Sequence, residues 1–64
     1  MPSTVIRGFR YQPDEQALEI TFVSGRSYRY LRVPPKVYDD MRASFSKGEY
    51  FNQHIRDRFA FERN

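Results

Sequence analysis

Apolar and polar positions alternate along the first half of the chain and recur at every fourth position in the second, so strands are expected to precede helices. The segment Leu18-Glu19-Ile20-Thr21-Phe22 has the period of two of a half-buried strand. Arg26-Ser27-Tyr28-Arg29-Tyr30-Leu31-Arg32 repeats that period with tyrosines in the large positions. An earlier extended stretch carries Val5, Ile6, Phe9 and Tyr11, and Gln12-Pro13-Asp14-Glu15-Gln16 supplies the Pro and Asp of a polar turn. A three-stranded antiparallel meander over residues 4–11, 17–23 and 26–32 follows from these signals.

The hairpin register decides where the tyrosines point, because a one-residue slip turns every side chain to the other face. A three-residue loop at Val23-Ser24-Gly25, with Gly25 in a left-handed conformation, sets Phe22 against Arg26, Ile20 against Tyr28 and Leu18 against Tyr30. Glu19 then opposes Arg29 on the other face. A two-residue loop at Ser24-Gly25 would set Ile20 against Arg29, a poorer match. Tyr28 and Tyr30 are therefore expected on the core face, with their hydroxyls reaching the rim.

Val33-Pro34-Pro35 takes the chain out of the ladder, since proline offers no N–H, and proline is well suited to a helix's first turn. Val37, Met41 and Phe45, with Tyr38 beside them, form the stripe of a helix over residues 35–45, with Asp39 and Asp40 toward its positive end. Ser46-Lys47-Gly48-Glu49 fits the S-x-x-E capping box and opens a second helix over 47–58, whose stripe is Phe51, Ile55 and Phe59. Phe59-Ala60-Phe61-Glu62 is suited to a short C-terminal edge strand. The expected class is α+β, with both helices packed on one face of the meander.

Sixty-four residues make one small domain, 1–64, and a chain of this size buries only about 60% of the surface it exposes when unfolded. Its large apolar side chains are needed for the core. Without cysteine there is no disulfide framework and no thiolate zinc site, which suits a reducing, cytoplasmic setting. Met1 to Arg7 hold no apolar signal region, and no run approaches the ~20 apolar residues of a membrane span.

Catalytic signals are sparse. The sequence holds no G-x-x-x-x-G-K-[ST], no G-x-G-x-x-G and no H-E-x-x-H, so neither a nucleotide cradle nor a metal site is expected, and no cofactor is implied. His54, near Asn52, Arg56, Asp57 and Arg58, is the one group suited to phosphodiester cleavage, but no second acid or base supports it. Asp39 and Asp40 are adjacent on a helix and point about 100° apart, which suits dipole or ion-pair roles better than shared acid–base work. A non-catalytic module is expected.

Nine of the eleven cations are arginine, against eight acids, for a net charge of +3. Guanidinium groups grip phosphates in forked pairs and stack on bases, although they equally serve ordinary ion pairs. The polar positions that the core does not need include Arg7 or Arg10, Arg26, Arg29, Arg32, Lys47, Asn52 and Arg56. Arg7, Arg29, Lys47, Asn52 and Arg56 are the candidate RNA contacts, with Tyr28, Tyr30 and Tyr50 as candidate base-stacking rings. The alternative partner is a protein, or a second copy of the chain, docked through exposed aromatics.

Ser3-x-x-Ile6, then Leu18-x-Ile20-x-Phe22-x-x-Gly25-x-x-Tyr28-x-Tyr30-x-x-Val33-Pro34, then Ala43-x-x-Ser46-x-Gly48-x-Tyr50-Phe51-Asn52-x-x-Ile55-Arg56, span nearly the whole chain. This order resembles the KTSC domain, a family named after the C-terminal extension of some lysyl-tRNA synthetases and found also as free-standing bacterial proteins. The central Y-x-Y stands here as Tyr28-Arg29-Tyr30. The resemblance implies an uncharacterised module for which RNA or tRNA binding is suggested by attachment to a tRNA enzyme, and it carries over no catalytic residue. Ser46, Gly48, Asn52 and Arg56 match the family pattern. Gln12 departs from it, standing where the family often has Asp.

Overall fold

The structure, a computed structural model, describes residues 6–63. Strands β1 (Ile6–Gln12), β2 (Ala17–Phe22) and β3 (Ser27–Tyr30) form the meander. Helices α1 (Pro35–Ala43) and α2 (Lys47–His54) follow, and β4 (Phe61–Arg63) returns to the sheet. The sheet order is β1-β2-β3-β4, antiparallel throughout, so the C-terminal strand lies against the Y-x-Y strand. Residues 4 and 5 of the expected first strand lie outside the described residues.

The expected register holds: Leu18 pairs with Tyr30, Glu19 with Arg29 and Ile20 with Tyr28. Gly25 fixes it by adopting φ +95°, a conformation costly for residues with a Cβ, and its N–H donates to Phe22 O at 2.9 Å. The Phe22 N–H donates to Arg26 O at 2.8 Å and closes the hairpin.

Helix and strand ends fall short of the periodic pattern, each for a local backbone reason. β3 stops at Tyr30, short of residue 32, because Arg32 turns left-handed (φ 57°); the Leu31 N–H, on the β4 side, donates to Ala60 O at 2.8 Å. α1 ends at Ala43, since Ser44 is extended and its hydroxyl donates to Met41 O at 2.7 Å. Phe45, expected in the core stripe, is thereby off the helix and 85% exposed. α2 ends at His54, four residues before the expected 58, in a turn where the Arg56 N–H donates to Phe51 O (2.8 Å) and Asp57 is left-handed (φ 63°). Phe59 still packs against the core, but from beyond the helix. The first turn of α1 holds no acid; Asp40 instead pairs with Lys36 at 3.4 Å.

Leu18, Ile20, Tyr30, Val33, Met41, Phe51 and Ile55 form the core between the sheet and the helices. Burying each aliphatic side chain here contributes about 1.5–3 kcal/mol. The two helices cover different halves of one sheet face. Tyr38 of α1 stacks on Tyr11 (centroids 4.8 Å apart) and meets Phe9 edge-on at 6.0 Å. Phe51 of α2 meets Phe22 and Tyr30 edge-on, each at 5.4 Å. On the other face the alternation places Arg10, Glu19, Arg29 and Glu62 in one row across the four strands.

Candidate functional site

An open groove of about 560 Å³ runs between the β3–β4 pair and α2 with the turn after it. Its polar lining includes Arg26, Asn52, Arg56 and Asp57, and its aromatic wall includes Tyr28, Tyr30 and Phe61. Local structure explains each placement. Asn52 is exposed on α2 next to buried Phe51, and the early end of α2 swings Arg56 and Asp57 to the groove's side. Pairing of β4 with β3 brings Phe61 opposite Tyr30.

The aromatic wall is graded in exposure. Tyr30 is 5% exposed and belongs to the core, Tyr28 is half-buried, and Phe61 is 54% exposed. Phe61 packs edge-on against Tyr28 (5.4 Å, 89°) and tilted against Tyr30 (5.4 Å, 39°), so one side of its ring is supported by protein. Burial raises the Tyr30 hydroxyl above its ordinary pKa, with Tyr28 and Asp57 adding to the rise and Arg56 opposing it. Arg56 and Asp57 thus lie within electrostatic reach of the phenol at the groove's floor.

Of the residues expected from sequence, Tyr28, Tyr30, Asn52 and Arg56 come together here, and Arg26 joins them. Arg7 is exposed on β1, at the far edge of the sheet from β4. Arg29 lies on the outer face, where it pairs with Glu15, approaches Glu62 at 3.9 Å and donates to Gln12 Oε1 at 3.5 Å. Lys47 donates from Nζ to Ser44 O at 2.6 Å and so ties the turn between the helices. The Ser46 hydroxyl accepts the Glu49 N–H at 3.3 Å, as the capping box requires. Tyr50 stacks on His54 at 4.4 Å, and burial, then Asp40, raises its pKa while Lys36 opposes. Tyr50 also borders a shallow depression of about 220 Å³ beside exposed Phe45. Sequence reasoning placed Phe61 in a strand but not in a site. Its signal was an aromatic at strand spacing from Phe59, and only the pairing with the Y-x-Y strand gives that signal meaning.

These features define a small α+β module whose one face carries an arginine- and aromatic-lined groove. Residues 2–59 match the family model of the KTSC domain, and the chain belongs to that family. Phe61 lies just beyond the matched residues. The chain is similar to a lysine--tRNA ligase of Nostoc punctiforme, 44% identical over 59 residues, covering 92% of this chain and 10% of that protein. The chain therefore spans about a tenth of the length of that ligase. It is 40% identical over 57 residues to a protein of Tsukamurella paurometabola, covering 89% of this chain and 85% of the relative. A crystal structure of a KTSC domain protein from Yersinia pestis superposes with a TM-score of 0.90 at 30% identity, covering 100% of this chain and 93% of that one.

Proposed function

We propose that this chain is a small non-catalytic RNA-binding module of the cytoplasm that engages its ligand through the groove between β3–β4 and α2. The observation that carries the reading is the convergence of two guanidinium groups, Arg26 and Arg56, with an amide, Asn52, and an exposed ring, Phe61, in one open groove. Guanidinium forks suit phosphate oxygens, an amide offers both a donor and an acceptor to a base edge, and a ring offers a face for stacking. Arg7, Arg29 and Lys47 lie outside the groove and would add long-range attraction only. Relatives named lysine--tRNA ligase carry a matching segment, which makes tRNA the first RNA to test.

The test is an amide chemical-shift titration with bulk tRNA and with a mixed single-stranded RNA, at low and at physiological salt. Shifts centred on Arg26, Asn52 and Arg56 that weaken with salt are expected, with a log–log slope of about −0.9 per phosphate neutralised on duplex or about −0.7 on single strands. Absence of shifts at both salts overturns the reading. A protein-docking role is the second reading, favoured by Phe45, which stands 85% exposed beside Tyr50. RNA-independent self-association in light scattering that Phe45→Ser abolishes would support it.

A further inference from the structure

We infer that the groove takes one unpaired nucleotide of an RNA chain, with its base laid on Phe61 and its phosphate held by Arg26 and Arg56. This rests on the RNA-binding reading and deepens it by naming the form of RNA. Phe61 is the most exposed ring of the wall, yet Tyr28 and Tyr30 brace it at 5.4 Å each. It is a stacking surface fixed from behind and open in front.

A base inside a duplex has both faces covered by its neighbours and cannot offer one to the ring. Only a base released from its stack, in a loop, bulge or overhang, can do so. The groove's dimensions agree, since about 560 Å³ lies in the range of small-molecule sites and suits one nucleotide, while a helix is far too wide to enter. The charges agree as well. Two guanidinium groups and one carboxylate, Asp57, line the groove, leaving a single positive excess to meet a single phosphodiester. Asn52, exposed on α2, is placed to hydrogen-bond the edge of the seated base.

The experiment compares two fluorescent RNA hairpins of identical stem, each closed by a polyether linker in place of loop nucleotides, one blunt and one with an unpaired tail, by anisotropy at low and physiological salt. The full chain and its Phe61→Leu and Asn52→Ala variants are used, the leucine keeping apolar bulk against Tyr30 and the alanine lying on an exposed helix position. The expected result is roughly tenfold tighter binding of the tailed hairpin, the size of one base stacked on an aromatic ring. Both variants should lose most of that preference for the tail. Equal affinity for the two hairpins, with the salt dependence intact, overturns the unpaired-nucleotide inference and leaves the RNA-binding reading standing. Binding of neither hairpin at low salt overturns both.

Discussion

Arg29 of β3 and Glu62 of β4 stand directly opposite each other on the outer face of the sheet, with Nη1 3.9 Å from Oε1. The stronger partner of the same guanidinium is Glu15, reaching in from the turn before β2. Arg29 thus links the turn, the central strand and the C-terminal strand. Its predicted cross-strand neighbour, Glu19, is in register but is not the carboxylate it grips.

Arg29→Ala should lower stability by about 1 kcal/mol, the scale of a partly exposed ion-pair cluster. Urea unfolding measures this. In the same variant the amide signals of Asn52 and Arg56, on the other side of the sheet, should stay where they are; movement of those signals would mean that the outer row props the groove.

Phe45 lies at the correct helical spacing for the core yet sits in solvent. Phe45→Ser should therefore change stability by no more than about 0.5 kcal/mol, whereas truncating a buried phenylalanine costs about 3–5 kcal/mol. A thermal melt separates the two outcomes.

The Ser46 hydroxyl accepts one of the free N–H groups in the first turn of α2, that of Glu49. Ser46→Ala should cost about 1 kcal/mol. Amide exchange should quicken first in the opening turn of α2, and unchanged exchange there would show that the cap contributes nothing.

Tyr11, Tyr30 and Tyr50 all have hydroxyl pKa values raised above the ordinary 10.0, in each case chiefly by burial. The fold favours their neutral form, so their contribution is fully present below pH 10 and is lost as pH rises through the raised values. Urea midpoints should therefore fall above pH 10, with phenolate absorbance that develops late in the folded protein. Because Arg56 pulls Tyr30 down, Arg56→Ala should delay the Tyr30 titration further. An earlier titration in that variant would contradict the placement of Arg56 beside the phenol.

The sheet was legible in the sequence because its determinants are local. Period two through Leu18 and Ile20, and again through Tyr28 and Tyr30, leaves one register in which Gly25 can close the hairpin. Helix ends were not legible, because periodicity continues past them. Phe45 and Phe59 extend the α1 and α2 stripes, yet α1 stops at the extended Ser44 and α2 at Ile55, where the Arg56 N–H reaches back to Phe51 O. The groove was half legible. Asn52 and Arg56 were identifiable as polar positions that the core does not need, and Tyr28 and Tyr30 as the aromatics of the Y-x-Y strand. Phe61 was not, since its role depends on a strand pairing that spans both helices. Arg29 was legible as a cation but not as one committed to Glu15, because turn residues carry no period from which to read their reach.

The row of Arg10, Glu19, Arg29 and Glu62, with Glu15 beside it, gives the outer face three carboxylates against two guanidinium groups. The chain as a whole is +3, so the positive excess resides on the helix-bearing side and the edges. The two faces of the sheet thus differ in charge, the outer one being the more acidic. If RNA is the ligand, as proposed, long-range attraction would favour approach from the side away from that carboxylate row, and screening would confine the bias to about 8 Å at physiological salt. Strand alternation thereby divides the charge between the two faces as well as setting the composition of the core.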